Sequence, residues 1–143
     1  MKNSINIDQV QEIALPKILD ERGNLSFIEY PSHIPFEMKR VYWIYDVPGG
    51  EQRGGHAYKN LYEVIIAISG SFDVNIDTGA EIKKFTLNRS YKAVFVPKMV
   101  WRSLSNFSTN SLCLILASDE YLADEYIRDY EEFKMIISKS TWV

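Results

Sequence analysis

Short runs of β-branched and aromatic residues recur along this chain, divided by positions that carry Pro, Gly, Asn or Asp. The runs cover 25–30, 39–46, 62–69, 71–77, 81–87, 93–96 and 111–117. Such even spacing of short strands with turn residues between them predicts an all-β sandwich or barrel. Within it, Gly70 marks a tight break between two strands, and Phe72-Asp73-Val74-Asn75-Ile76 alternates apolar with polar. That alternation predicts one face in the core and the other in water or a cavity. Asp77-Thr78-Gly79-Ala80 reads as a hairpin turn into the next strand.

The tail breaks the pattern. From Ser118-Asp119-Glu120 onward come Tyr121, Tyr126, Ile127, Tyr130, Phe133, Ile136 and Ile137, with intervals of three and four from Tyr126 on. This spacing predicts an amphipathic helix with an acidic first turn, laid on the outside of the barrel. Asp124, Glu125, Asp129, Glu131 and Glu132 then form its solvated face.

The chain has 143 residues, enough for one domain with one core and too few for two ordinary domains. Its hydrophobic content of 46% fits a packed protein rather than a disordered one. A formal charge of -3 argues against nucleic acid as a partner, since phosphate-tracking surfaces carry a basic excess. A small dianion needs only two or three local cations and stays within reach. Cys113, the one cysteine, lies in the apolar run Leu112-Cys113-Leu114-Ile115-Leu116 and reads as core. No stretch approaches the length of a membrane span and the N-terminus has no apolar signal region, so no membrane contact is expected and the cytoplasm is the expected compartment.

The chemistry concentrates between Arg53 and Gly70. Arg53-Gly54-Gly55-His56-Ala57-Tyr58, with Glu63 and Gly70 downstream, resembles the first motif of the cupin superfamily: a Gly-rich approach, His-x-His, then Glu and Gly at fixed distances. Pro97, Met99, Arg102 and Asn106 fall at the spacing of the second motif, in which Met99 stands for Gly and Arg102 for His. In metal-binding cupins these motifs supply three histidines and a glutamate to one cation. Here Tyr58 and Arg102 replace two of the histidines, and a permanently charged guanidinium repels a metal that neutral imidazole would hold. Neither a metal nor any other cofactor is therefore expected. If 53–58 is a strand, His56 and Tyr58 share a face. An imidazole that can take and return a proton near neutral pH, with Arg102 to hold an oxyanion or phosphate, is suited to enolisation beside a carbonyl. The alternative for His56 is a buried histidine bonded to a backbone carbonyl. Tyr58 is either a participant or core, and Glu63 either acts directly or orients His56 or Arg102. His33, beside Pro35 in a loop-like stretch, reads as structural.

Taken together, Asp20-Glu21-Arg22-Gly23-Asn24-Leu25, Ile34-Pro35-Phe36, Lys39-Arg40-Val41-Tyr42, the segment from Arg53 to Lys59, Val100-Trp101-Arg102 and Tyr126-Ile127-Arg128-Asp129-Tyr130 cover nearly the whole chain. In this order they resemble the cupin-type sugar 3,4-ketoisomerases acting on TDP-4-keto-6-deoxyglucose, within the WxcM-like group. The resemblance implies one cupin domain over residues 1–143, a double-layered antiparallel β-barrel or jelly roll with a short C-terminal helix. It also implies a homodimer exchanging its N-terminal strand, and a TDP-linked keto-deoxysugar as substrate. His56 is then the base that removes the proton from carbon 3, and the enediol is reprotonated at carbon 4. Tyr58 stands where many members carry a second catalytic histidine. A phenol with an ordinary pKa near 10 donates a proton more readily than it takes one.

The expected substrate contacts are Arg22, Arg40, Tyr42, Arg53, Glu63, Tyr91 and Arg102. Arg22 and Arg102 match positions that vary between relatives with galacto- and gluco-configured products. Arg40 and Arg53 are candidates for the diphosphate, with structural ion pairs as the alternative. Tyr42 and Tyr91 are candidates for base or sugar, with core packing as the alternative. Two other functions compete: 3,5-epimerisation of the same keto sugar, which normally uses a separate His–Asp base and an opposing tyrosine, and nucleotide-sugar binding without catalysis.

Overall fold

Alternating apolar side chains and Gly-marked turns organise the chain into strands throughout. The computed structural model describes residues 5–139. Its strands are β1 (Gln11–Ala14), β2 (Lys17–Ile18), β3 (Leu25–Ser26), β4 (Arg40–Tyr45), β5 (Arg53–Tyr58), β6 (Glu63–Ser69), β7 (Phe72–Asp77), β8 (Ile82–Leu87), β9 (Lys92–Val96), β10 (Trp101–Ser105), β11 (Leu112–Ala117) and β12 (Tyr126–Ile127). One helix follows, α1 (Tyr130–Lys139). Two five-stranded antiparallel sheets form, β1-β9-β6-β11-β4 and β12-β5-β10-β7-β8, beside the small β2-β3 ribbon. This is the all-β, double-layered cupin architecture expected from the sequence, with its short C-terminal helix.

The core lies between the two sheets. Ile65 and Ala67 of β6, Cys113 and Ile115 of β11, and Val94 and Val96 of β9 meet Phe72, Val74 and Ile76 of β7 and Leu104 of β10. Each of these strands turns every second residue inward, as a period of two requires. The alternation read in β7 therefore holds, with Asp73 and Asn75 on the far face, where they bond Thr86 and Ser105. The first sheet is buried on both sides, which explains its nearly continuous apolar runs. Its outer residues Val64, Ile66, Ala93 and Leu116 lie under Leu15, Ile34 and Phe36 from the N-terminal segment. Cys113 is core, and burial pushes its thiol up to about 12.

Gly70 carries the chain from one sheet to the other. Its φ of 70° suits a residue without a side chain, and an added Cβ would meet Ser108 Oγ at 2.5 Å and Ser111 Cα at 2.7 Å.

The helix is shorter than the tail's spacing predicts. It starts at Tyr130, where the Asp129 carboxylate caps it by accepting from Glu131 N. Phe133 and Ile137 are buried against Ala57 and Ile127 on the outer face of the second sheet. Residues 118–129 are held instead by contacts across the fold. Ser118 Oγ accepts from Tyr62 N, Glu125 accepts from Asn60, and Tyr126 and Ile127 pair as β12 with Tyr58 and Ala57. Tyr121 and Tyr126 stand five apart and lie outside the helix. Likewise the run 25–30 shrinks to β3, because Ile28 turns instead onto the cluster covering the first sheet. His33 closes that loop, its Nδ1 accepting from Glu29 N at 2.8 Å.

Candidate active site

Strand β5 presents Ala57 to the helix and His56 and Tyr58 to the interior, so the period-two argument from the sequence holds. His56 pairs across the sheet with Arg102 of β10. Tyr58 pairs with Tyr126 of β12 on its other side. The rings of His56, Tyr58 and Tyr126 close a triangle, with centroids 4.7, 5.0 and 4.8 Å apart.

Beneath this triangle lies a fully internal ion pair. Glu63 has no exposed surface and Arg102 is 1% exposed. Arg102 Nε donates to Glu63 Oε1 at 2.9 Å, and Nη2 donates to Oε2 at 3.1 Å. The same carboxylate accepts from the hydroxyls of Tyr42 and, at 2.9 Å, Tyr58. Arg102 Nη2 also donates to Tyr42 Oη at 3.0 Å, and Nη1 to the Gly54 carbonyl at 3.2 Å. Bidentate pairing with further donors is the arrangement a buried carboxylate needs to remain ionised. Gly54 permits it: the φ is 67°, and a Cβ there would lie 2.1 Å from Arg102 Nη1. The Gly-rich approach thus exists to let a guanidinium lie against the backbone.

Arg102 was expected to hold an oxyanion or phosphate. Its nitrogens are instead committed to Glu63, Tyr42 and Gly54, because a buried cation is tolerable only with its countercharge beside it. A divalent ion does not suit this donor set, since the guanidinium already sits on the one carboxylate available. Among the described residues no group of three His, Cys, Asp or Glu side chains converges as metal ligands do.

His56 is 6% exposed, and its Nε2 is buried without a hydrogen-bond partner. Burial, then the charges of Arg102, Arg128 and Arg40, lower its pKa to about 2. The imidazole is therefore neutral across the physiological range and carries an unused nitrogen. Burial and the Glu63 charge push both Tyr58 and Tyr42 above the ordinary phenol range, so both keep their protons.

The cleft at His56 has a volume of about 450 Å³ and is lined by Tyr42, Trp43, Ile44, Gln52, Arg53, Gly54, Arg102, Tyr126 and Arg128. A second cavity of about 410 Å³ shares Trp43, Ile44, Gln52 and Arg53 with it. Of the residues singled out from sequence, Tyr42, Arg53, His56 and Arg102 line the cleft, with Tyr58 and Glu63 directly behind. Arg40 reaches it through a bond from Nη2 to Tyr126 Oη at 3.3 Å.

Two expected contacts lie elsewhere in the chain. The Arg22 side chain is 89% exposed and folds onto Asp20, since a short loop between β2 and β3 brings the two charges together. Tyr91 precedes β9 on the outer side of the first sheet, against the covering segment, with Lys17 Nζ 4.1 Å from its ring. Tyr126, Arg128, Gln52 and Trp43 were not foreseen. Period two across Tyr126-Ile127-Arg128 was the available signal, and the helical reading of the tail hid it.

The chain resembles known proteins over nearly its whole length. The family model described as FdtA, WxcM-like, C-terminal, matches residues 8–138. The chain is 42% identical over 127 residues to a TDP-4-oxo-6-deoxy-alpha-D-glucose-3,4-oxoisomerase of Aneurinibacillus thermoaerophilus, covering 89% of this chain and 91% of that protein. Among solved structures, the WlaRB TDP-quinovose 3,4-ketoisomerase of Campylobacter jejuni superposes with a TM-score of 0.86 at 42% identity, over 90% of this chain and 99% of that one. A mutant of the QdtA 3,4-ketoisomerase of Thermoanaerobacterium thermosaccharolyticum, in complex with TDP-4-keto-6-deoxyglucose, gives 0.89 at 32%, over 94% and 97%.

Proposed function

The chain belongs to the FdtA family of WxcM-like C-terminal domains, and on that premise we propose that it is a sugar-nucleotide 3,4-ketoisomerase converting TDP-4-keto-6-deoxyglucose into the corresponding 3-keto sugar. The observation that carries the reading is the neutral imidazole of His56, with a buried, unpartnered Nε2 at a cleft large enough for a hexose. The proton on carbon 3 is acidic because it neighbours the carbon 4 carbonyl. His56 takes that proton; the C–H electron pair becomes the C3=C4 bond of an enediol, and the carbon 4 oxygen is protonated. Return of a proton to carbon 4, with loss of the proton on the carbon 3 oxygen, leaves the ketone at carbon 3. No redox partner is needed, and each proton removed is matched by one returned.

The other residues divide by distance from the cleft. Tyr42 and Arg53 touch the ligand space, and Arg40 reaches its edge. Tyr58 serves the chemistry by holding His56 edge-to-face while its hydroxyl stays on Glu63. Glu63 and Arg102 form the floor and act through these two tyrosines. The adjoining cavity gives the nucleotide room beside the sugar. We take the whole chain as one cupin domain acting in the cytoplasm as a homodimer. Val41 and Ile68, 48% and 41% exposed on the outer face of the first sheet, supply an apolar surface for the second copy. No helix among the described residues is long and apolar enough to cross a membrane.

Incubation with TDP-4-keto-6-deoxyglucose in deuterated water tests the assignment. Wild-type protein should deliver the 3-keto product with deuterium at carbon 4, while His56→Asn should bind TDP and exchange nothing. Near-normal turnover in that variant, or binding without exchange in the wild type, overturns the reading. Deuterium at carbon 5 would point to the epimerase chemistry instead.

A further inference from the structure

Arg40 and Arg128 face the His56 cleft from different elements, and among the described residues neither has a carboxylate within ion-pair distance. Tyr126 stands between them. The Arg128 guanidinium lies 4.2 Å from the centre of its ring, and Arg40 Nη2 donates to its hydroxyl at 3.3 Å. Tyr126 in turn packs against the His56 ring at 5.0 Å. Arg40 also has a buried Nε without a hydrogen-bond partner, so two orphaned nitrogens, Arg40 Nε and His56 Nε2, serve one cleft. A donor buried without a partner is costly unless something else supplies the acceptor.

The electrostatics around His56 are one-sided. From β10 comes Arg102, whose charge Glu63 of β6 balances. From β4 come Arg40 and the neutral Tyr42, from β5 the neutral Tyr58 and, at the cleft wall, Arg53, and from the β12 segment Tyr126 and Arg128. Asp46 and Glu51 line the adjoining cavity beside Arg53, but among the described residues no carboxylate lies within ion-pair distance of Arg40, Arg53 or Arg128, so this lip can seat a multiply charged anion.

We propose that Arg40 and Arg128, bracketing Tyr126, are an anion-operated control on His56: a diphosphate seated between them offsets their share of the positive charge facing the imidazole, so that the residue is a stronger base with nucleotide bound than without it. The inference rests on the ketoisomerase reading for the identity of the anion, and not for the control itself. It resolves a conflict within the site. Burial and the cations facing His56 make it a weak base in the free protein, whereas enolisation needs a competent one. A keto sugar lacking its nucleotide would meet a weaker base and lose protons more slowly than the nucleotide-linked sugar.

The test follows the imidazole and needs no turnover. Histidine-labelled protein, with His33 as internal reference, is titrated by NMR down to its acid-unfolding edge, alone and with TDP, pyrophosphate or thymidine. TDP and pyrophosphate should raise the His56 midpoint by about one to two pH units, the size of removing a unit charge several ångströms away, and thymidine should not. In Arg128→Gln the free midpoint should lie above that of the wild type, the TDP-induced rise should shrink, and TDP affinity should fall about tenfold, as loss of one charge-assisted contact implies. Arg128→Lys should restore the rise in part. If saturating TDP leaves His56 on the curve of the free protein, or if Arg128→Gln changes neither the curve nor TDP affinity, the proposed control is wrong. Absence of carbon 4 deuteration with an intact TDP-induced rise would instead remove the ketoisomerase reading and leave the control standing.

Discussion

Replacing Glu63 by Gln removes the single negative charge that balances Arg102 while keeping the shape of the side chain. The structure sets the size of the effect. Glu63 is fully buried and accepts from Arg102 Nε and Nη2, from Tyr42 and from Tyr58, and Arg102 itself is 1% exposed. Breaking a buried pair from one side costs about 3–5 kcal/mol, because the remaining charge has no water to turn to. For a domain of this length that corresponds to a fall in melting temperature of about 6–20 °C. Urea unfolding followed by circular dichroism measures it. Adding Arg102→Met to the Gln variant should recover most of the loss, since removing both charges eliminates the uncompensated cation. A loss below about 1 kcal/mol for Glu63→Gln, or a double variant no more stable than the single one, would refute the claim that the floor of the site is held by this pair.

Three further outcomes follow from the same geometry. His56 is held neutral in the folded chain, with a pKa near 2, so below about pH 6.5 the unfolded state takes up a proton that the folded state refuses; stability should fall with pH by up to about 1.4 kcal/mol per unit. His56→Asn should flatten that slope between pH 6.5 and the acid-unfolding edge, and urea midpoints running parallel in the two proteins would contradict it. Gly54→Ala should cost about 1–3 kcal/mol, since the added Cβ would lie 2.1 Å from Arg102 Nη1 at a positive φ; unchanged thermal unfolding would mean that Arg102 has another resting place. Tyr58→Phe should keep measurable exchange at carbon 4 while losing about 1–3 kcal/mol of stability through the missing donor to Glu63, whereas complete loss of exchange in a folded variant would make Tyr58 a proton carrier.

The strands and both cupin motifs were legible because they depend on local chemistry. Period two placed His56 and Tyr58 on one face and divided β7 between core and polar partners. The motif also survives where its residue types change. Met99 stands where the pattern has glycine and still adopts a φ of 57°, and Asn106 keeps its type with a φ of 56°. What escaped sequence reading depends on contacts between distant segments. Tyr126 and Arg128 enter the cleft only because two residues of β12 find the edge of β5, a pairing too short to impose a recognisable alternation on a tail whose aromatic spacing mimics a helix.

Arg102 posed a different difficulty, because charge alone does not tell a ligand-binding cation from a structural one. The deciding fact is its burial beside Glu63, and the two substitutions seen in sequence then become one event. In a metal cupin the glutamate answers the charge of a cation. Here Arg102 supplies that charge covalently from β10, and Tyr42 and Tyr58 saturate the remaining carboxylate lone pairs. The exchange leaves His56 without a ligating duty and with its Nε2 free, which is the condition for an imidazole to move a proton.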